Sequence, residues 1–199
     1  MANQRRWSLL ACSVVLSGVV LGGILVYGRV QCPGGNAMNE SRFTVDRVRL
    51  ETNKPSEEVA KALERQLGTF DPDVRRAATE SGDTEAAKAR IAAMAGRSGF
   101  MLFGTTDHGA LLRIVGQKRK AVQYVVGNPL FALQMTQHDI RAGLYAPLRV
   151  LLYEDDRGRT CLEYDKPSSL FGQFQNDRIS PTAALLDTKL EDLVTTAIR

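Results

Sequence analysis

The sequence predicts an α+β domain, built on a single mixed or antiparallel sheet of about five strands packed with helices and preceded by one transmembrane helix. Three observations predict it. Residues 148–154 and 159–164 are apolar and aromatic runs flanking Asp155-Asp156-Arg157-Gly158, a hairpin signal that demands antiparallel pairing. Capped helical segments fall between the other strand-like runs in an irregular order, which favours α+β over a regular parallel α/β sheet. Residues 7–27, WSLLACSVVLSGVVLGGILVY, carry no charge over a length that, at about 1.5 Å per helical residue, spans a ~30 Å hydrocarbon core.

The apolar segment has the flanks of an uncleaved anchor. Residues 1–6 form a short tail carrying Arg5 and Arg6, Arg29 follows the segment, and Trp7 and Tyr27 occupy its two interfacial ends. A cleavable signal would have a shorter apolar region, about 7–15 residues, ending in a small-x-small site. The exit from Val26 to Cys32 offers no such site, and too few apolar residues precede Leu9-Leu10-Ala11-Cys12 for a lipoprotein signal. The expected partner of residues 7–27 is therefore the lipid bilayer. Arg5, Arg6 and the amino terminus favour a cytoplasmic N-terminus, which leaves the C-terminal domain extracytoplasmic, on the periplasmic side. Residues 28–42, containing PGGNAMNES, read as a linker, and residues 43–199 as the folded domain.

Within that domain the elements follow in order. Residues 44–52 alternate loosely, with Val48 and Leu50 on one face, as a first strand does. Ser56 stands as an N-cap, Glu57 and Glu58 suit a helix N-terminus, Gly68 suits its end, and Val59, Leu63 and Leu67 recur as an apolar stripe. Residues 69–98 are rich in alanine and charge. Asp71-Pro72 starts one short helix there, and Asp83 caps a second that Gly96 closes, anchored by Ile91 and Met94. Residues 100–105 read as the second strand, and Asp107 caps a short helix whose apolar side is Leu111, Ile114 and Val115. Residues 121–126 are the third strand, and Asn128-Pro129 supplies the cap and first-position proline of the next helix. After the hairpin, Ser180-Pro181 opens a last helix with Leu186, Leu190, Leu193 and Ala197 on one face.

Charge and cysteine content exclude several classes. Arg5, Arg6 and Arg29 all flank the apolar segment; without them the 26 Lys and Arg fall to 23, against 22 acidic residues. The domain is thus near neutral and makes a poor nucleic-acid surface. Three cysteines make no disulfide framework, although Cys32 and Cys161 offer a pairing in an oxidising compartment. Two histidines and no Cys-x-x-Cys pair give no zinc site, and no cofactor is expected.

From residue 100 to 174 the chain resembles the domain-of-unknown-function 302 family of small prokaryotic α+β domains. The residues that carry the resemblance are Thr106-Asp107-His108, Gly127-Asn128-Pro129, Ala146-Pro147-Leu148-Arg149-Val150-Leu151, Tyr153-Glu154-Asp155 and Leu162-Glu163-Tyr164-Asp165, with Pro167 behind. Residues 48–68 look like the family's opening unit. The resemblance implies the fold and a homodimer; the family has no established activity, so it implies no reaction. Two features depart from the family pattern: the inserted hairpin 69–98 and Lys166, where an acidic residue is more usual.

His108 is the candidate for chemistry. A neutral imidazole just after a capping aspartate suits a general acid or base, or a ligand contact; the alternative is a hydrogen bond bracing the turn. Asp107 reads as a cap. Asn128, in Gly127-Asn128-Pro129, suits anion binding at a helix start or simple capping. Tyr153 and Tyr164, on neighbouring strands, pack across the sheet or line a small pocket with His108. Arg113 and Gln117-Lys118-Arg119-Lys120 form a basic patch without aromatic interleaving, which suits solvent or acidic headgroups better than bases. The expected function is a membrane-tethered, dimeric, non-catalytic binding or sensing module of unknown ligand. The alternatives are a small enzyme using His108, and an envelope adaptor that uses hairpin 69–98 for contact.

Overall fold

The computed structural model describes residues 38–199. The tail 1–6, the apolar segment 7–27, the first part of the linker and Cys32 lie outside the described residues. Among the described residues no helix is long and apolar enough to cross a membrane. Residues 42–199 form one compact unit.

The fold is α+β around one mixed sheet of six strands. The strands are β1 (Arg47–Thr52), β2 (Gly68–Thr69), β3 (Met101–Asp107), β4 (Ala121–Gly127), β5 (Leu148–Glu154) and β6 (Thr160–Asp165), in the order β1-β6-β5-β4-β3-β2. All neighbours are antiparallel except β2 and β3, which are parallel. The expectation of about five strands missed β2, because Gly68 reads locally as a helix stop. Its N–H donates to the Phe100 carbonyl at 2.9 Å, and that carbonyl also accepts from Gly96 at 2.9 Å. The backbones at Gly68 and Gly96 cross so closely that a Cβ on either would strike the main chain of the other, which is what requires glycine at both.

Period-two alternation divides the sheet into two faces. One face carries Leu50, Tyr124, Val126, Val150, Leu152, Leu162 and Tyr164 against Val59 and Leu63 of α1 (Ser56–Glu64) and Leu186, Leu190 and Leu193 of α7 (Ser180–Ile198). The stripes read in those two helices are buried there, with Leu67 half-buried at the margin. A second, smaller cluster joins Ala78 of α2 (Pro72–Glu80), Ile91 of α3 (Thr84–Ala93) and Met101.

Several local readings are corrected. The Ser56 side chain does not cap α1; its Oγ donates to Glu154 Oε1 at 2.8 Å, and Pro55 occupies the cap position. Leu111 in α4 (His108–Leu112), with Ile114 and Val115 in the following 3-10 turn, is not a packed apolar side: the three are 58%, 82% and 69% exposed. That segment is too short to turn three large side chains inward at once. Two elements carried no strong sequence signal, the 3-10 helix Ile140–Tyr145 and α6 (Pro167–Gly172).

Strand direction sets which loops meet. Arg47 pairs with Asp165, Leu148 with Val126, and Gly127 with Met101, so these positions share one end of the sheet. The chain therefore enters the domain at the end that carries Asn128-Pro129, the cis peptide Ala146-Pro147 and α5 (Pro129–Thr136). Asp107 and His108 lie at the other end, about 20 Å away along strands of seven residues.

Candidate functional site

The four residues singled out in the sequence do not converge. Tyr153 pairs with Cys161, and Tyr164 lies an odd number of residues further along β6, so the two rings point to opposite faces. Tyr164 is buried in the core, where burial, then the Glu191 and Asp187 charges, push its phenol up to about 12. Tyr153 belongs to a polar network on the other face. Its hydroxyl donates to Glu163 Oε2 at 2.7 Å, and the Arg49 guanidinium sits 5.8 Å from its ring centre. Burial first, then this hydrogen bond, raises the Tyr153 phenol. His108 is exposed at the far end of the sheet. Asp107 caps α4, its Oδ1 accepting from Ala110 N at 2.8 Å.

Asn128 is different, because it borders an apolar cleft. Its Oδ1 accepts from Leu130 N at 2.9 Å and its Nδ2 donates to the Gly99 carbonyl at 2.8 Å, so it caps α5 and ties the β4 exit to the loop before β3. The cleft beside it has a volume of about 340 Å³. It runs from the exposed side of α5 and the Ala146-Pro147 turn inward to Phe100, Leu148, Phe171 and Leu186, as an unfilled continuation of the core. Small-molecule sites are mostly apolar concavities of about 300–1,000 Å³ with few polar groups, and this cleft lies at the small end of that range.

Among the described residues, Arg75, on α2, is the only charged side chain lining the cleft. Its guanidinium lies 5.4 Å from the Phe70 ring centre, and Phe70 stacks on Phe103 at 4.0 Å. Neither Arg75 nor the cleft was singled out in the sequence. The cleft assembles from α2, β3, β4, α5, β5, α6 and α7, and no local pattern announces it.

A second cluster has metal-like composition. Donor atoms of Glu51, Asp155 and Cys161 lie within 4.8 Å of one another. Two guanidiniums already occupy it: Arg49 reaches Glu51 at 3.0 Å, Asp155 at 3.3 Å and the Cys161 sulfur at 3.3 Å, while Arg159 binds both acids. A cation would have to displace two arginines, so the arrangement is an ion-pair network rather than a metal centre.

The sequence matches the family described as Domain of unknown function DUF302 over residues 76–197, more than half of the chain. The chain belongs to the DUF302 family. No curated protein matches. Among solved structures, an uncharacterized conserved DUF302 protein from Bacillus stearothermophilus is similar, with a TM-score of 0.54 and 16% identity, covering 77% of this chain and 98% of that one. At that identity the likeness concerns the fold alone. The DUF302 match begins inside α2, so its first residue, Arg76, directly follows Arg75.

Proposed function

We propose that this DUF302 chain is a membrane-tethered, homodimeric binding module without catalytic turnover, and that the cleft beside α5 is its ligand site. The observation that carries the binding reading is the cleft itself: an apolar concavity open on one side, bordered by Asn128 and Thr136, whose hydrogen bonds are already made, and by the Arg75 guanidinium. The enzyme alternative draws little support, because His108 is exposed and about 20 Å from the cleft along the strands. Support for the tether comes from the uncharged residues 7–27 and their arginine flanks. Support for the dimer comes from the family resemblance, and from the sheet face carrying Val125, Leu151 and Tyr153, which is only half-buried in one copy.

The test uses the full-length chain in membranes. It should stay in the pellet after alkaline carbonate extraction, dissolve only with detergent, and yield a cross-linked dimer from the intact bilayer. Release by carbonate would overturn the tether, and a strictly monomeric cross-linking pattern would overturn the dimer.

A further inference from the structure

The cleft specifies the chemistry of its occupant more narrowly than its shape alone. Its walls are the side chains of Phe100, Phe131, Leu148, Phe171 and Leu186, all apolar. The polar groups beside them are already committed. Asn128 uses both its amide and its carbonyl, and Thr136 Oγ1 donates to the Ala132 carbonyl at 2.9 Å. A polar ligand body would lose its water and find few partners in return. The body of the ligand is therefore apolar. At about 340 Å³ the cleft has room for one chain or ring system, and a lipid with two chains would not fit.

One charge stands at this apolar wall. Among the described residues Arg75 has no carboxylate partner, whereas the next residue, Arg76, takes Asp73 at 3.0 Å. Arg75 is exposed and braced against the Phe70–Phe103 stack, so its planar donors are oriented without being consumed. Such a guanidinium matches a carboxylate bidentately. The surface around the opening points to the source. Before β1 the chain lays Phe43 edge-on to Tyr145, 6.1 Å between ring centres, next to Ala146 at the cleft wall. Ile140 and Leu144 of the same 3-10 helix are 79% and 73% exposed, and the helix lies beside Thr136 of α5. An apolar rim at the end where the linker arrives suits a ligand that partitions into the bilayer. We propose that the cleft holds a single-chain carboxylic amphiphile, a fatty acid drawn from the membrane, with its chain against Phe131 and Leu148 and its carboxylate on Arg75.

This assignment rests on the cleft being a ligand site, and its test separates the two. Full-length protein in phosphatidylcholine nanodiscs is labelled with a diazirine-bearing dodecanoate, or with the matching alcohol, and the cross-linked residues are mapped by mass spectrometry. The acid should label cleft residues at lower concentration than the alcohol. Arg75→Gln should weaken acid labelling several-fold, up to about tenfold, and leave alcohol labelling unchanged; Arg75→Lys should restore part of the loss. Arg75 is exposed, so these variants keep the fold. Ala132→Trp, which fills the cleft from α5, should block both probes. If acid and alcohol label the cleft equally and Arg75→Gln changes neither, the carboxylate assignment is wrong and the apolar site stands. If neither probe labels the cleft of the wild-type protein, the ligand-site reading itself is wrong.

Discussion

On one face of the sheet Tyr124, Val150 and Leu162 are sealed beneath α1 and α7, while on the other the same strands hold Gln123, Leu151 and Glu163 half-buried. Neighbouring residues of a single strand thus experience different physics. The covered face is held by the removal of apolar surface from water, about 25 cal/mol per Å², which no buffer component titrates. The other face is held by a lattice of ion pairs linking Arg47, Arg49 and Arg159 to Glu51, Asp155, Glu163 and Asp165. Exposed ion pairs each contribute about 0–1 kcal/mol and weaken with salt and acid. The same sequence alternation therefore produces one face that resists pH and another that responds to it.

The covered face should give the largest effect. Leu162 is fully buried in the same cluster as the inward residues of α1 and α7, so Leu162→Ala removes buried methyl groups and leaves a void that the packed core does not close. The expected loss is about 2–5 kcal/mol in urea unfolding, with no change in its pH dependence. A loss below about 1 kcal/mol would mean that the core collapses around the gap, and the contrast between the faces would shrink accordingly.

Legibility in the sequence followed the same division between local and distant causes. The hairpin at Asp155–Gly158 was readable because the turn states its own geometry: Asp155 Oδ1 accepts from Arg157 N and Arg159 N, both at 2.9 Å. Asn128-Pro129 and the α7 stripe were readable for similar reasons, a cap and a period. Strand β2 was not, because its pairing partners at Met101 and Leu102 lie about thirty residues on. The apolar run Leu111, Ile114, Val115 misled, since periodicity gives a face without saying what covers it. Of the site residues, only Asn128 borders the cleft. The cleft depends on seven elements meeting, and on Arg75 finding no carboxylate partner among the described residues, neither of which one chain segment reports.

The second effect belongs to acid. The Asp155 carboxyl is pulled down to about 2, chiefly by the Arg159 backbone N–H, then by the Arg159 side chain and the Arg157 backbone. A carboxyl with an ordinary value near 3.9 in the unfolded chain stabilises the fold fully above that pH, and the contribution disappears as pH falls toward about 2. Urea midpoints of the wild type should therefore fall between about pH 4 and pH 2 more steeply than those of Asp155→Asn, which starts lower at neutral pH. Parallel profiles for the two proteins across that window would remove Asp155 from the acid response and blur the distinction between the faces.

The smallest effect tests whether Tyr153 is structural. Among the described residues its hydroxyl has a single partner, Glu163 Oε2 at 2.7 Å, and Glu163 keeps a second contact with Arg47 at 3.4 Å. Tyr153→Phe keeps the ring against Arg49 and removes only the donor, while the half-buried Glu163 retains its cation and access to water. The expected loss is about 1 kcal/mol, smaller than that of Leu162→Ala because no cavity is made. Labelling of the cleft by the diazirine acid should be unchanged, since Tyr153 lies on the face away from the core into which the cleft runs. A weakened acid label in a fully folded Tyr153→Phe variant would tie the two faces into one functional unit, and the separation drawn from strand parity would then fail.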